Sequence, residues 1–206
     1  MGQRTQLIVK LPEVYYNENN SNNRPESIKV YHNQWLYGIN FIKYLARLIK
    51  AIEVLRKGDF DLNRCEERVD DAIKHCNYAD LDYMTETRKY NEEGYNYNLD
   101  LNESKTILDF LDKYDNNNGY MYVSIGKDGI KYCILNGTED ADTIEVKTPK
   151  EYINLFYTDD KIKDETELLE AIKFLDSCQK TDVFEELKLF KKKVGKMITK
   201  QVAEVL

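Results

Sequence analysis

The chain has 206 residues, 42% hydrophobic and 33% charged, with a formal net charge of −7. This is enough apolar material for one sizeable core without staples, and no apolar run approaches the roughly 20 residues that a membrane span needs. The overall acidity weighs against a general polyanion binder, and the start MGQRTQLIVKL has no hydrophobic leader with a small-residue cleavage site, so the expected location is the cytoplasm.

Charge is unevenly spread. Residues 1–58 carry nine Lys/Arg and four Asp/Glu, a net +5, whereas residues 59–115 carry seven and sixteen, a net −9. The two segments either complement each other internally or leave an acidic face for a basic partner. Cys65, Cys76, Cys133 and Cys178 contain no C-x-x-C pair, which points to reduced, buried thiols and to neither a zinc knuckle nor a redox dithiol.

In chain order, Leu7, Val9 and Leu11 alternate with Gln6, Ile8 and Lys10, predicting a strand near 5–16 interrupted at Pro12. A second strand is expected over 27–34, joined to the first by an Asn-rich loop at 17–26. Residues 31–38, YHNQWLYG, form the most site-like stretch: aromatic rings with polar tips, beside a helix start, can stack a base and offer backbone N–H groups to a phosphate. The same composition also suits a well-packed corner. The helix predicted over 38–57 is the core element. Ile39, Phe41, Ile42, Leu45, Leu48, Ile49, Ile52 and Leu55 cover more than half of it, and Lys43, Arg47, Lys50 and Lys57 leave one narrow basic stripe.

The opening M-G-Q-R-T-Q, the turn Y-H-N-Q-W-L-Y-G and the later D-G-I-K-Y-C-I-L resemble a loose group of uncharacterised small proteins. Phages and mobile elements of low-GC Gram-positive bacteria encode them, with G-Q-R-S/T-Q starts and a Y-x-x-Q-W/F-x-Y/F-G turn. The resemblance implies a genomic context in which host-defence inhibitors, anti-CRISPR proteins among them, are common. It carries over no catalytic residue.

After Gly58 a second helix is expected to about residue 77, with Cys65, Val69, Ala72, Ile73 and Cys76 inward and Glu66, Glu67, Asp70 and Asp71 on a solvated face. Residues 80–102 read as a long polar loop with Tyr83, Tyr90, Tyr95 and Tyr97 beside acids such as Glu92 and Glu93. Such a loop is a lid on its own domain or a contact surface, because tyrosine supplies area at low entropic cost. A third helix follows over 103–114. MYVSI and IKYCIL around G-K-D-G predict a hairpin with strands at 120–125 and 130–135, and a further strand is expected at 143–146 before Pro149 opens a short helix through Phe156. Beyond Asp164 the expectation is helical. Asp164 and Glu167 resemble a capping box, Leu168, Leu169, Ile172 and Leu175 form a stripe, and a second helix from about Thr181 carries Lys191, Lys192 and Lys196 on a basic face.

The expected architecture is therefore α+β: a small, mostly antiparallel sheet on a long core helix within residues 1–157, and a C-terminal helical pair over 158–206. No Ser/His/Asp set, nucleotide loop or ligand cluster emerges, so neither a cofactor nor a metal is expected and catalysis has little material. The leading expectation is a phage-encoded inhibitor that binds a host protein or ribonucleoprotein through Tyr83, Tyr90, Tyr95, Tyr97, Glu92 and Glu93. One alternative is RNA or DNA binding through Trp35, Tyr37, Arg47, Lys191, Lys192 and Lys196. Another is nucleotide binding or cleavage at the 31–38 corner, with His32 as general acid or base.

Overall fold

The computed structural model describes residues 5–12, 27–33, 36–57, 69, 72, 85–86, 119–126, 128–136 and 145–182. Its strands are β1 (Thr5–Leu11), β2 (Ser27–Asn33), β3 (Thr85–Glu86), β4 (Tyr120–Gly126), β5 (Gly129–Asn136), β6 (Glu145–Lys147) and β7 (Gln179–Lys180). Its helices are α1 (Gly38–Lys57), α2 (Pro149–Ile153), α3 (Asp159–Ile162) and α4 (Thr166–Ser177). All seven strands join one sheet in the order β3-β2-β1-β4-β5-β6, with β7 beside β5.

The sheet is mixed, and the expected mostly antiparallel pairing is met in part. Sequence neighbours β1/β2 and β4/β5 pair antiparallel, as do β2/β3 and β5/β6, but the central joint β1/β4 is parallel and so is β5/β7. A parallel joint needs a long crossover, and α1 lies within the connection between β1 and β4. β6 and β7 share one edge of β5, β6 along Ile134 to Asn136 and β7 along Lys131 and Tyr132.

Register assigns each strand residue to a face. Leu7 opposes Met121 and Val9 opposes Val123, while Met121 meets Ile134 and Val123 meets Tyr132. These side chains form one apolar layer against Phe41, Ile42, Leu45, Leu48, Ile49 and Ile52 of α1. The other face of the central strands is buried too: Gln6, Ile8, Tyr120, Tyr122, Cys133 and Leu135 are almost inaccessible. The alternation in β1 therefore does not separate core from solvent; it separates two interiors.

α4 packs beside α1 and runs parallel to it, since Lys43 and Arg47 meet Glu167 and, further along, Lys50 lies 4.7 Å from the centre of the Phe174 ring. Leu168, Ala171 and Leu175 are buried there, one face at i, i+3 and i+7. Leu169, expected in that stripe, is 45% exposed because it follows Leu168 by about 100° around the helix. The expected capping box is absent as well. Glu165 occupies the N-cap without a side-chain bond, and Glu167 is drawn to Lys43 instead. Tyr132 pins α4 to the sheet by donating a buried hydrogen bond of 2.8 Å to the Leu175 carbonyl.

Other expectations meet the structure unevenly. β1 stops at Leu11, before Pro12, and the G-K-D-G hairpin forms with Gly126 opposite Gly129. The expected strand near 143–146 runs Glu145–Lys147, and Thr148 caps α2 in a reciprocal capping box with Glu151, with Pro149 next. Val69 and Ala72 are helical and buried, as the second helix requires. Part of the 80–102 loop is instead strand, with Thr85 and Glu86 paired to β2. Thr181 and Asp182 are not helical; Gln179–Lys180 forms β7, and the Thr181 amide bonds to the Tyr132 carbonyl at 3.1 Å. The third helix at 103–114 and the last helix beyond 182 lie outside the described residues. Among the described residues no helix is long and apolar enough to cross a membrane.

Candidate functional site

The N-terminal end of α1 is built differently from the rest of the helix. Gly38 starts it at φ +57°, a left-handed conformation that favours glycine, and no acidic side chain lies in the first turn. A Cβ at Gly38 would also sit 2.8 Å from Cε2 of Tyr157, so the aromatic ring and the glycine require each other. Just upstream, the buried Thr5 hydroxyl donates to the Leu36 carbonyl and ties the approach to β1.

Aromatic side chains surround this end because α2 is fixed by its cap. The Thr148–Glu151 box starts α2, which puts Tyr152 on Phe41 with ring centroids 4.1 Å apart and nearly parallel. Phe156 then bridges Tyr152 at 5.3 Å, Tyr37 at 5.8 Å and Tyr157 at 6.4 Å. Burial pushes the Tyr152 phenol far above its ordinary value, opposed by a hydrogen bond with the Gly38 backbone. Tyr152 is thus a neutral phenol spanning α2 and the start of α1.

Beside this cluster a cleft of about 320 Å³ opens, lined by Tyr37, Ile39, Asn40, Lys43, Tyr157 and Glu165. Its volume is at the lower end of small-molecule sites. Lys43 enters from the third α1 position after Asn40, and its side chain is only 15% exposed. Its ammonium lies 3.1 Å from Glu167, where the contact is a charge-assisted hydrogen bond, and 3.8 Å from Glu165, where it is a looser ion pair. Arg47 approaches Glu167 at 3.5 Å. The Lys43 hydrogen bond, then the charges of Lys43 and Arg47, hold the Glu167 carboxyl below its ordinary value. Burial first, then the neighbouring Tyr37 and Glu165, raise the Tyr157 phenol, so Tyr157 is a neutral ring where it lines the cleft.

The cleft therefore combines two phenol rings, an aliphatic wall, one amide, one ammonium and one carboxylate. It suits a flat polar ligand with donors and acceptors on one edge. Among the described residues no group of three His, Cys, Asp or Glu is placed to hold a metal. Between Glu165 and Glu167, the position a cation would take is filled by Lys43.

Of the residues singled out by sequence, Tyr37 lies in this cleft. Arg47 is nearby but is directed to Glu167, so the basic stripe of α1 is matched by α4. His32 is in β2, in register with Gln6 and Thr85. Trp35, Lys191, Lys192 and Lys196, and the proposed partner surface Tyr83, Tyr90, Tyr95, Tyr97, Glu92 and Glu93, lie outside the described residues. Asn40, Tyr157 and Glu165 had no signal of their own. Tyr157 and Glu165 reach Tyr37 only through the tertiary fold, more than a hundred residues along the chain, and Lys43 was visible only as one member of a basic stripe.

No protein-family model, curated protein or solved structure matches the chain.

Proposed function

We propose that the protein binds a nucleotide, without cleaving it, in the cleft at the start of α1. The observation that carries this reading is the convergence of Tyr37, Tyr157, Asn40, Lys43 and Glu165 around about 320 Å³ at the corner whose composition suggested base stacking. Aromatic walls give a base area to stack on, at roughly 1 to 3 kcal/mol per base, and the polar groups supply orientation. Native mass spectrometry of the purified full chain tests it. The expected result is a retained or saturably added nucleoside monophosphate at one per chain, lost in Tyr157→Ala. A chain that takes up no nucleotide overturns the reading.

A second reading concerns a different part of the chain. The net −9 of residues 59–115 and the four tyrosines of 80–102 favour a surface that captures a host protein or ribonucleoprotein, as the resemblance to phage proteins suggests. Under this reading a Tyr90→Ala, Tyr95→Ala double variant loses partner capture with an almost unchanged melting temperature, since hot-spot losses are at least about 2 kcal/mol in binding. A destabilised variant that still captures its partner at full stoichiometry contradicts it.

A further inference from the structure

We infer that the cleft reads one base, guanine, through its Watson–Crick edge, with Glu165 and Lys43 as the reading pair. This rests on the nucleotide reading above and goes further by naming the base. The two charged groups hold different positions in the ion network. Lys43 lines the cleft and is anchored on Glu167 at 3.1 Å, and among the described residues its ammonium has no second partner within hydrogen-bond distance. Glu165, at 3.8 Å, is beyond the range of a charge-assisted hydrogen bond to Lys43 and keeps its carboxylate oxygens available as acceptors.

A donor and a double acceptor thus lie side by side in a cleft walled by Tyr37 and Tyr157. Guanine complements that order: O6 accepts from Lys43, while N1–H and the N2 amine donate to the two oxygens of Glu165. Each other base fails at one position. Adenine has only the N6 amine to offer the carboxylate on that edge. Uracil has one donor flanked by acceptors, and cytosine has two acceptors beside its amine, so each turns at least one lone pair toward a carboxylate oxygen. Inosine keeps O6 and N1–H but lacks the N2 amine, which isolates the second oxygen of Glu165. A well-formed bidentate contact of this kind discriminates by about tenfold or more. Tyr157, which lines the cleft, stays a neutral phenol, which avoids placing a second negative charge beside the ligand.

Titrating the full chain with GMP, IMP, AMP, CMP and UMP by calorimetry, in parallel with Glu165→Gln, tests this. The Glu165 side chain is 45% exposed and makes no capping bond, so the variant keeps its fold, which its melting temperature verifies. The expected result is GMP bound at least about tenfold tighter than IMP and AMP, with the preference lost in Glu165→Gln while AMP affinity changes little. Equal affinity for all five nucleotides overturns the guanine assignment and leaves the nucleotide reading standing. A GMP preference that survives Glu165→Gln overturns the role of Glu165. Binding of none of the five removes both the inference and the reading on which it rests.

Discussion

The two halves of α1 use the same helix for opposite ends. In its middle, Leu45, Leu48, Ile49 and Ile52 are sealed between the sheet and α4, each at most 1% exposed. At its start, Tyr37, Ile39, Asn40 and Lys43 are incompletely covered and border a cleft. The sealed half is made by periodicity, a local property of the sequence. The open half is made by α2 and α3 ending where they do, which brings Tyr157 and Glu165 to the helix start. The helix start still buries Phe41 and Ile42 on its inner side, so the cleft uses only the outer side of that end.

Substitutions in the sealed half should break that contrast most strongly. Leu48→Ala or Ile49→Ala is expected to cost roughly 2 to 5 kcal/mol, because a cavity replaces fully buried carbon. Denaturant unfolding measures it, and a midpoint within error of the parent protein means that this face is not sealed. At the open end, Gly38→Ala combines a left-handed residue with a Cβ placed against the Tyr157 ring; about 1 to 3 kcal/mol is expected. A thermal melt of this variant that matched the parent would mean that Tyr157 does not hold its position over the helix start.

Smaller effects sharpen the same contrast. Tyr132→Phe removes the tie to Leu175 that clamps α4 on the sealed half, with an expected loss of about 0.5 to 1.5 kcal/mol, and hydrogen exchange of the β7 amides should accelerate. Exchange unchanged in β7 would count against the clamp. The ion network at the open end should show itself mainly through pH. Glu167 has its carboxyl held below the ordinary 4.5 by Lys43, so its contribution is present at neutral pH and is lost as pH falls through that lowered value. Because the Glu167 side chain is largely exposed, this appears as a displaced titration of its own resonance rather than as a large change in stability. A Glu167 titration at 4.5 that Lys43→Met leaves unmoved would contradict the contact.

How much of this was legible in the sequence follows the same division. The buried face of α1, the G-K-D-G hairpin and the Pro149 helix start were readable because each is set by residues a few positions apart. Leu169 misled because a run of apolar residues does not say which of two neighbours faces the core. β3 and β7 are two residues each, too short to carry alternation, and both exist only because a neighbouring strand has a free edge. The parallel β1/β4 joint was hidden for a related reason: antiparallel and parallel strands carry similar side chains when both faces are buried. At the cleft, Tyr37 could be singled out as an aromatic beside a helix start. Glu165 could not, since an exposed acid before a helix has many ordinary uses.

The most direct test of the nucleotide site is amide chemical-shift mapping of the labelled full chain during addition of GMP. Saturable shifts concentrated at Tyr37, Ile39, Asn40, Lys43, Tyr157 and Glu165 are expected, with Leu48 and Ile49 in the sealed half unmoved. Shifts centred elsewhere on the molecule, or none at millimolar nucleotide, would contradict it.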